Sequence, residues 1–501
     1  MSLSTIATRL LATPFASSLS QLTLELVPLI AQLGQRLVAF QTQPVTAAAT
    51  CAFEADVQRQ LQHIGRVLLG WVYNRLEPDD PCQAPAQVEF EHNLYRRRDR
   101  SPRRWGVATL FGIIALWRLR YEPCDEGVGL TCLFPLEERL GLLLGKATPA
   151  LAQRLGPWAA QHTQQNVLKL LQQEHHVSWS VETLRTMTAA LSAAVAPLRH
   201  QAQVTQVLKF LRQAHEASGP HRPVLCVGRD GIFVPIRNDT NYREGSTATL
   251  AVLDRHGRKL GTMFLGQMPE PGQETLSQQL TALVRDVLNE WHGPLPRLQY
   301  VTDGGHHPTD YCESVLLNML HPRTGAQLPW EWVLDYYHAC QYITKMAEAL
   351  FGKATKKAAT WAAKMRRWLK NKNNGIFRVL HSAAALATRL EFTKAEHKNY
   401  HGAYNYLSSR MQLMDYAAYR RRGLAIGSGI TEAACKTVFT QRFKQSGMKW
   451  SLEGGQVIVD LRVIYLSGLW STVYETYVKS LSQDQGGTNL ALNENSYEIA
   501  A

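Results

Sequence analysis

Three acids in this 501-residue chain stand where chemistry is possible. Asp230 lies inside an apolar stretch, VLCVGRDGIFV; Asp303 ends another, RLQYVTDGG, just before two glycines; Glu432 falls in the first turn of a helix that opens GSGITEAACK. Two carboxylates on adjacent strands and a third from a helix can hold two Mg²⁺ about 3.5–4 Å apart. Such an ion prefers oxygen ligands and keeps several waters. One ion activates the attacking oxygen and the other stabilises the leaving oxygen of an in-line displacement at phosphorus. Singly, each acid has a plainer reading, since a strand-end Asp is usually a turn former. A rival constellation is TDGGHHPTD, which puts Asp303, His306, His307 and Asp310 within eight residues, with His338 further on. That set would suit a Zn or Fe hydrolase, although adjacent histidines point apart on most backbones.

The elements that must carry the acids follow from periodicity. RPVLCVGRDGIFVPIR (222–237) alternates like strands, and TATLAVLDRHGRKLGTMFLGQM (247–268) reads as two strands around a turn at Gly257. ETLSQQLTALVRDVLNEW (274–291) is a helix, with Leu276, Leu280, Leu283, Val284 and Leu288 on one side. RLQYVTDGG (297–305) is a strand, TDYCESVLLNML (309–320) a helix, and PWEWVLDYYHACQYI (329–343) begins as a strand. The order β-β-β-α-β-α-β predicts an α/β layer around a mixed sheet. An Asp on its first strand, an Asp ending its fourth and an acid on a later helix follow the ribonuclease-H-like plan.

The rest of the chain is helical and basic. Lys and Arg number 54 against 41 Asp and Glu, a net charge of +13 that implies an anionic partner, nucleic acid before an acidic membrane. At 45% hydrophobic and 19% charged, the composition excludes a disordered tail, a collagen or a coiled coil. Phe53, Val57, Leu61, Ile64, Leu68 and Trp71 recur as one buried helix face would. PDDPCQAPAQ (78–87) reads as a linker. YRRRDRSPRRW (95–105) carries six arginines against one Asp, and residues 106–124 suggest a two-stranded ribbon. QQNVLKLLQQEHHVSWSVETLRTMTAAL (164–191) reads as helix, turn and helix, with Ser180 as N-cap of the second. A helix-turn-helix sets such a helix in the major groove, though plain helical hairpins are commoner. Residues 352–373 hold eight Lys or Arg and no acid, which repel one another unless a polyanion covers them.

No stretch reads as membrane-spanning: Trp105–Trp117 is uncharged but short of ~20 residues. MSLSTIATRLLATPFASS lacks acids, as transit peptides do, and is read as a plain helix. The eight cysteines are scattered and no pair is spaced C-x-x-C, so no structural zinc site is written; Cys124 and Cys132, flanking a Gly-rich turn, are the pair to watch.

GSGITEAACKTVFTQRFKQSGMKW (427–450) resembles the signature of ISKra-type insertion-sequence transposases, in which the helix carries the last acid of a DDE triad and ends in a Lys/Arg-Gln-Ser-Gly-Met-Arg/Lys-Trp run. GRDGIFVPIR resembles that family's first-Asp strand and QYVTDGG its second, while LDYYHACQYI resembles the Asp-x-x-His element of the related Mutator-like transposases, here Asp335 and His338. The resemblance covers roughly 220–470 closely and the N-terminal half loosely. It departs where relatives carry paired C-x-x-C cysteines after the ribbon, which leaves a zinc-ribbon remnant at most.

The resemblance implies an α/β ribonuclease-H-like catalytic core with an all-α insertion, preceded by a mainly helical region with a β-ribbon and a helix-turn-helix. The expected division is an N-terminal helical region (1–90), the arginine-rich ribbon (91–145), the helix-turn-helix region (146–218), the core (219–343), the helical insertion (344–425), the last core segment with Glu432 (426–480) and a loose tail (481–501). Asp230, Asp303 and Glu432 would be the catalytic residues and the ligands of two Mg²⁺, with Mn²⁺ able to substitute. Asp230 would bridge both ions, and Asp335 and His338 would stand at the edge of the site and position DNA; the alternative is that Asp335 caps the following helix and His338 merely packs. Double-stranded DNA would be held by Arg442, Lys444 and Lys449, by Arg366, Arg367 and Lys370, and by Arg96, Arg97, Arg98, Arg103 and Arg104. The reaction would be strand cleavage to free a 3′-hydroxyl and its transfer to target DNA, by a homo-oligomer in the bacterial cytoplasm at the nucleoid. The alternatives are a non-catalytic DNA-binding protein derived from a transposase, whose sign would be loss of an acid, and the His/Asp metallohydrolase.

Overall fold

The computed structural model describes residues 16–78, 80–125 and 130–487. The expected helix at residues 1–18 falls almost wholly outside the described residues, as does the tail beyond Gly487. The chain divides into two compact units, residues 1–194 with 474–501, and residues 195–473.

The first unit opens with a pair of long helices, α1 (Ala16–Thr42) and α2 (Ala47–Asn74), the second capped by Thr46. The proline-rich linker is a short 3-10 turn, Pro81–Gln83, leading into strand β1 (Gln87–Phe90). Then come β2 (Asn93–Arg97), β3 (Arg103–Thr109), β4 (Gly112–Arg118), β5 (Tyr121–Pro123) and the helices α3 (Pro135–Arg139), α4 (Pro149–Gln161), α5 (Gln164–His175) and α6 (Val181–Val195). β3 and β4 form the expected antiparallel ribbon, which reaches back to include Arg103 and Arg104 themselves. β1, β2 and β5 add a separate three-stranded sheet that the composition does not announce.

The face of α2 expected to be buried is only part-covered: Leu61 is 52% exposed, and the buried positions are Gln62 and Gly65. The ribbon sets this rotation. The Phe111 ring at the β3–β4 turn lies against Gly65, where a Cβ would meet it at 2.3 Å. The Gln62 amide donates to the Glu174 carbonyl at 2.8 Å, and His175 Nδ1 lies 2.8 Å from the Leu110 carbonyl. α5 and α6 form the expected pair, with Thr183 N–H donating to the Ser180 hydroxyl at 3.0 Å. Helix Leu19–Thr42 is long and apolar enough to cross a membrane, a property the sequence reading did not assign to it.

The second unit begins with α7 (Arg199–Glu216), followed by β6 (Val224–Pro235), β7 (Tyr242–Leu253), β8 (Lys259–Gln267), α8 (Glu274–Glu290), β9 (Arg297–Thr302), α9 (His306–Tyr311) and β10 (Trp330–Leu334). These strands form one mixed sheet in the order β10-β9-β6-β7-β8. β6, β7 and β8 are an antiparallel meander, while β9 and β10 run parallel to β6. The strand order in sequence is as expected, with β6 and β7 each a single twelve-residue strand. The expected helix 309–320 is α9 running on as a wider π turn only to Leu316.

After β10 the chain is helical: α10 (Tyr336–Phe351), α11 (Lys356–Asn371), α12 (Gly375–Ala387), α13 (Lys394–Ser408) and α14 (Tyr416–Arg421), which share an apolar core with β9 and β10 through Val301, Val333, Ile343, Met365 and Leu407. α15 (Gly429–Ala434) continues as a π stretch, Cys435–Thr440, and one last turn to Phe443; α16 (Leu452–Leu466) and α17 (Trp470–Gly487) complete the described chain. Residues 481–487, expected in the loose tail, are thus part of α17.

Candidate active site

Successive residues of β6 point to opposite faces. Arg229 is buried on one face, where its guanidinium donates to Ser277 at 2.8 Å and Gln273 at 3.1 Å and lies 4.5 Å over the Tyr311 ring. Asp230 faces the other way, toward α15. That helix comes unusually close because residue 228 is glycine: a Cβ there would meet the Thr431 hydroxyl at 2.0 Å. Thr431 and Thr249 of β7 lie 2.9 Å apart through their hydroxyls, which fixes the first turn of α15 on the sheet. Cys435, one turn on, then reaches Asp230, its Sγ 3.4 Å from Oδ2 and 3.5 Å from the Thr247 hydroxyl.

Asp303 follows β9 at a turn completed by Gly304 at φ +80°, a backbone region where glycine carries little strain. Gly305 N–H donates to its Oδ1 at 2.9 Å, and the Tyr406 hydroxyl of α13 donates to its backbone carbonyl at 2.6 Å. The Asp230 carboxyl is pushed up to about 6, first by burial and next by the Asp303 charge, with the Glu432 charge adding to both. The three acids therefore share one electrostatic neighbourhood although 73 and 129 residues of chain separate them in turn. Glu432 is exposed and leans toward Ser428, whose Oγ lies 3.1 Å from its Oε1.

The donors fit Mg²⁺ in type, being carboxylate oxygens grouped beside one another. Among the described residues, however, no three His, Cys, Asp or Glu side chains already stand close enough to hold one ion. Asp230 and Asp303 are the pair that could accept it; Glu432 would have to turn from Ser428 to join them.

Asp335 is fully buried and caps α10, its Oδ1 accepting from His338 N–H at 2.6 Å. The His338 ring takes no part in that bond; it lies 5.4 Å from Tyr342 and 5.9 Å from Tyr406, two rings stacked at 3.7 Å. His306 turns outward to Asp310 at 3.1 Å, stacked on His307, so the histidines of TDGGHHPTD do not converge with Asp303.

The expected phosphate contacts divide. Lys444 and Lys449 are exposed, but Arg442 is not: it is 1% exposed, 5.0 Å from the Trp450 ring and 3.9 Å from Met448 sulfur. The helical period turns it into the core beside Phe439 and Phe443, which corrects its reading as a surface cation. On α11, Arg367 is exposed, whereas Arg366 donates to the Thr344 hydroxyl and Lys370 lies 5.4 Å over the Tyr336 ring. In the first unit Arg96 and Arg104 are exposed, Arg98 pairs with Glu122 at 2.7 Å and Arg103 with Asp99 at 2.9 Å. Arg97 is turned inward to the Ala84 carbonyl at 2.6 Å. Cys124 and Cys132 are exposed thiols.

Gly228, Ser428, Tyr406 and Arg410 were not singled out from the sequence; Thr431 was noted only as opening a helix and Cys435 only as one of eight scattered cysteines. Gly228, two residues before Asp230, carried a local signal; Tyr406 and Arg410 lie over a hundred residues from Asp303 and carried none. No family model matches the chain, and no curated protein matches it at a significant level.

Proposed function

We propose that the chain is a DDE transposase of the ISKra type, with a ribonuclease-H-like core, that cleaves DNA at transposon ends and joins the freed 3′-hydroxyl to target DNA. The observation that carries this reading is the gathering of Asp303 and the Glu432 helix around Asp230 on one face of a mixed five-stranded sheet. The strand order, with a three-strand antiparallel meander extended on one side by two parallel strands, supports the same core. Asp230 and Asp303, with Glu432, would hold two Mg²⁺, which when bound supply activation of the attacking oxygen and stabilisation of the leaving one.

The chain's own groups do the positioning. Cys435 and Gly231 N–H hold the Asp230 carboxylate from two sides. Tyr406 fixes the Asp303 turn, and Arg410, 4.4 Å over the Tyr406 ring and 3.2 Å from the position a Gly304 Cβ would take, puts a cation beside it that can meet a phosphate. Lys444 and Lys449, Arg367, and Arg96 and Arg104 are exposed cations suited to duplex contact. The test is cleavage of a labelled duplex carrying the element's end in Mg²⁺ or Mn²⁺. Asp230→Ala, Asp303→Ala and Glu432→Ala should each lower the rate at least about 1000-fold, the scale of losing a preorganised charge-stabilising group. End binding should stay within about threefold, because a lost carboxylate does not remove the DNA interface. Near-normal cleavage by any of the three would remove that residue from the site. Loss of activity in His306→Ala and His307→Ala, with Glu432→Ala unaffected, would favour the metallohydrolase.

A further inference from the structure

Capping α10 requires one oxygen of Asp335, and a serine or asparagine would serve as well. The other oxygen is engaged elsewhere: Oδ2 accepts both the backbone N–H of Ser428 and the Ser428 hydroxyl, the latter at 2.7 Å. No ion pair is found for this fully buried carboxylate among the described residues, so these donors must offset its desolvation. Its own N–H donates at 2.8 Å to the carbonyl of Thr302, the residue before Asp303. Ser428 in turn begins α15: its carbonyl accepts the N–H of Thr431 at 2.8 Å and of Glu432 at 2.9 Å. Alongside, Tyr336 N–H donates to the Ile426 carbonyl at 2.8 Å, and a Cβ on Gly427 would come within 3.0 Å of the Tyr337 ring and 3.5 Å of Asp335 Oδ2. The turn that carries Glu432 is thus fastened to the end of β10, and through it to the strand that carries Asp303.

We infer that Asp335 is a positioning residue that acts through Ser428 to set where Glu432 stands relative to Asp303, an inference that rests on the transposase reading for its consequence in metal binding. The Ser428 hydroxyl has one proton and two carboxylate neighbours. Asp335 at 2.7 Å takes it in preference to Glu432 at 3.1 Å, so the Glu432 main chain is fixed by its N–H on the Ser428 carbonyl while its carboxylate is left without that proton and free to turn to an ion. His338 contributes its backbone N–H to this junction and its ring to a separate aromatic cluster.

The experiment uses the full chain and two readouts. The first is amide hydrogen exchange of the segment 427–434, which reports the junction whether or not the protein is an enzyme. The second is Mn²⁺ binding followed by electron paramagnetic resonance. Asp335→Asn should speed exchange in that segment and weaken Mn²⁺ binding by about tenfold or more each, the usual scale for removing a group behind a metal ligand. Ser428→Ala, which deletes one oxygen and keeps the fold, should do both by about threefold, and Ser428→Thr should restore them. Unchanged exchange and Mn²⁺ affinity in Ser428→Ala would overturn the inference, and this variant carries the decision if Asp335→Asn fails to fold. A wild-type chain that binds no Mn²⁺ would sink the transposase reading, while the exchange arm would still decide the positioning role.

Discussion

The carboxylate site and the arginine ribbon are built on opposite terms. Around Asp230 and Asp303, strands and helices from five stretches of chain converge, and each carboxylate has donors fixed by neighbouring backbone. On the ribbon, charge is carried at the surface, above a small apolar core that includes Val107, Ile114 and Leu116 and beside a buried cation, Arg118. Its guanidinium pairs with Glu137, lies 3.6 Å over the Phe134 ring and 4.6 Å from the Trp105 ring, and is pushed down to about 10 by burial. On the proposed reading the difference separates two uses of charge. A site that does chemistry would spend structure to hold like charges together, whereas a surface that meets a polyanion would need only to keep cations apart and wet.

Breaking the buried charge of the ribbon should give the largest stability effect. Arg118→Ala leaves the largely covered Glu137 carboxylate without its partner and should cost about 3 kcal/mol in chemical denaturation. A loss under ~1 kcal/mol would mean that the pair is replaceable by water. Gly228→Ala comes next. The added methyl meets Thr431, so the first turn of α15 must lift, at about 1–3 kcal/mol for an overpacked contact. Cleavage should fall much further than stability does, because the same movement carries Glu432 and Cys435 away from Asp230. Equal and modest losses of both would show that the close approach serves packing only.

The comparison also sets a pH dependence. The Asp230 carboxyl is raised from its ordinary 3.8 to about 6, mainly by burial, so the folded chain holds this proton more tightly than the unfolded chain. Its contribution to stability is therefore greatest below about pH 4 and is lost as pH rises through about 6. A bound divalent cation reverses the preference by favouring the charged form. Apparent Mn²⁺ affinity should then weaken by up to about tenfold per pH unit below about 6, measured by titration at fixed ionic strength. A flat profile between pH 5 and 7 would place Asp230 outside the metal's reach.

Strand periodicity made the sheet legible, and the order of the acids on its elements was visible in the amino-acid sequence alone. So was the ribbon, because alternation and a Gly turn are local signals. What was hidden depends on distant pairing. Nothing near Asp303 announces that Tyr406 will hold its carbonyl, nor does the run at 427–429 reveal that Asp335 will hold Ser428. Arg442 misled because a cation in a basic run reads as surface until the helix face is known, and α2 misled because Phe111, from another element, chose which face to cover.

The smallest expected effect lies on the ribbon surface. Arg104 is exposed on β3 opposite Trp117, and no ion pair is found for it among the described residues. Arg104→Gln should leave stability within about ±0.5 kcal/mol, as surface changes away from buried features do. If it meets a phosphate, binding to any duplex should weaken and the slope of log K against log salt should fall by about 1. Arg98→Gln is the control on the same unit: Arg98 already faces Glu122 at 2.7 Å, so removing it frees an acid and should shift the slope differently. Arg104 alters affinity for all sequences alike if it serves the backbone, whereas a loss confined to the element's ends would make the ribbon a reader of base edges. Measured at two salt concentrations on end and scrambled duplexes, the pair of variants decides whether the ribbon's charge is a general polyanion surface or part of end recognition.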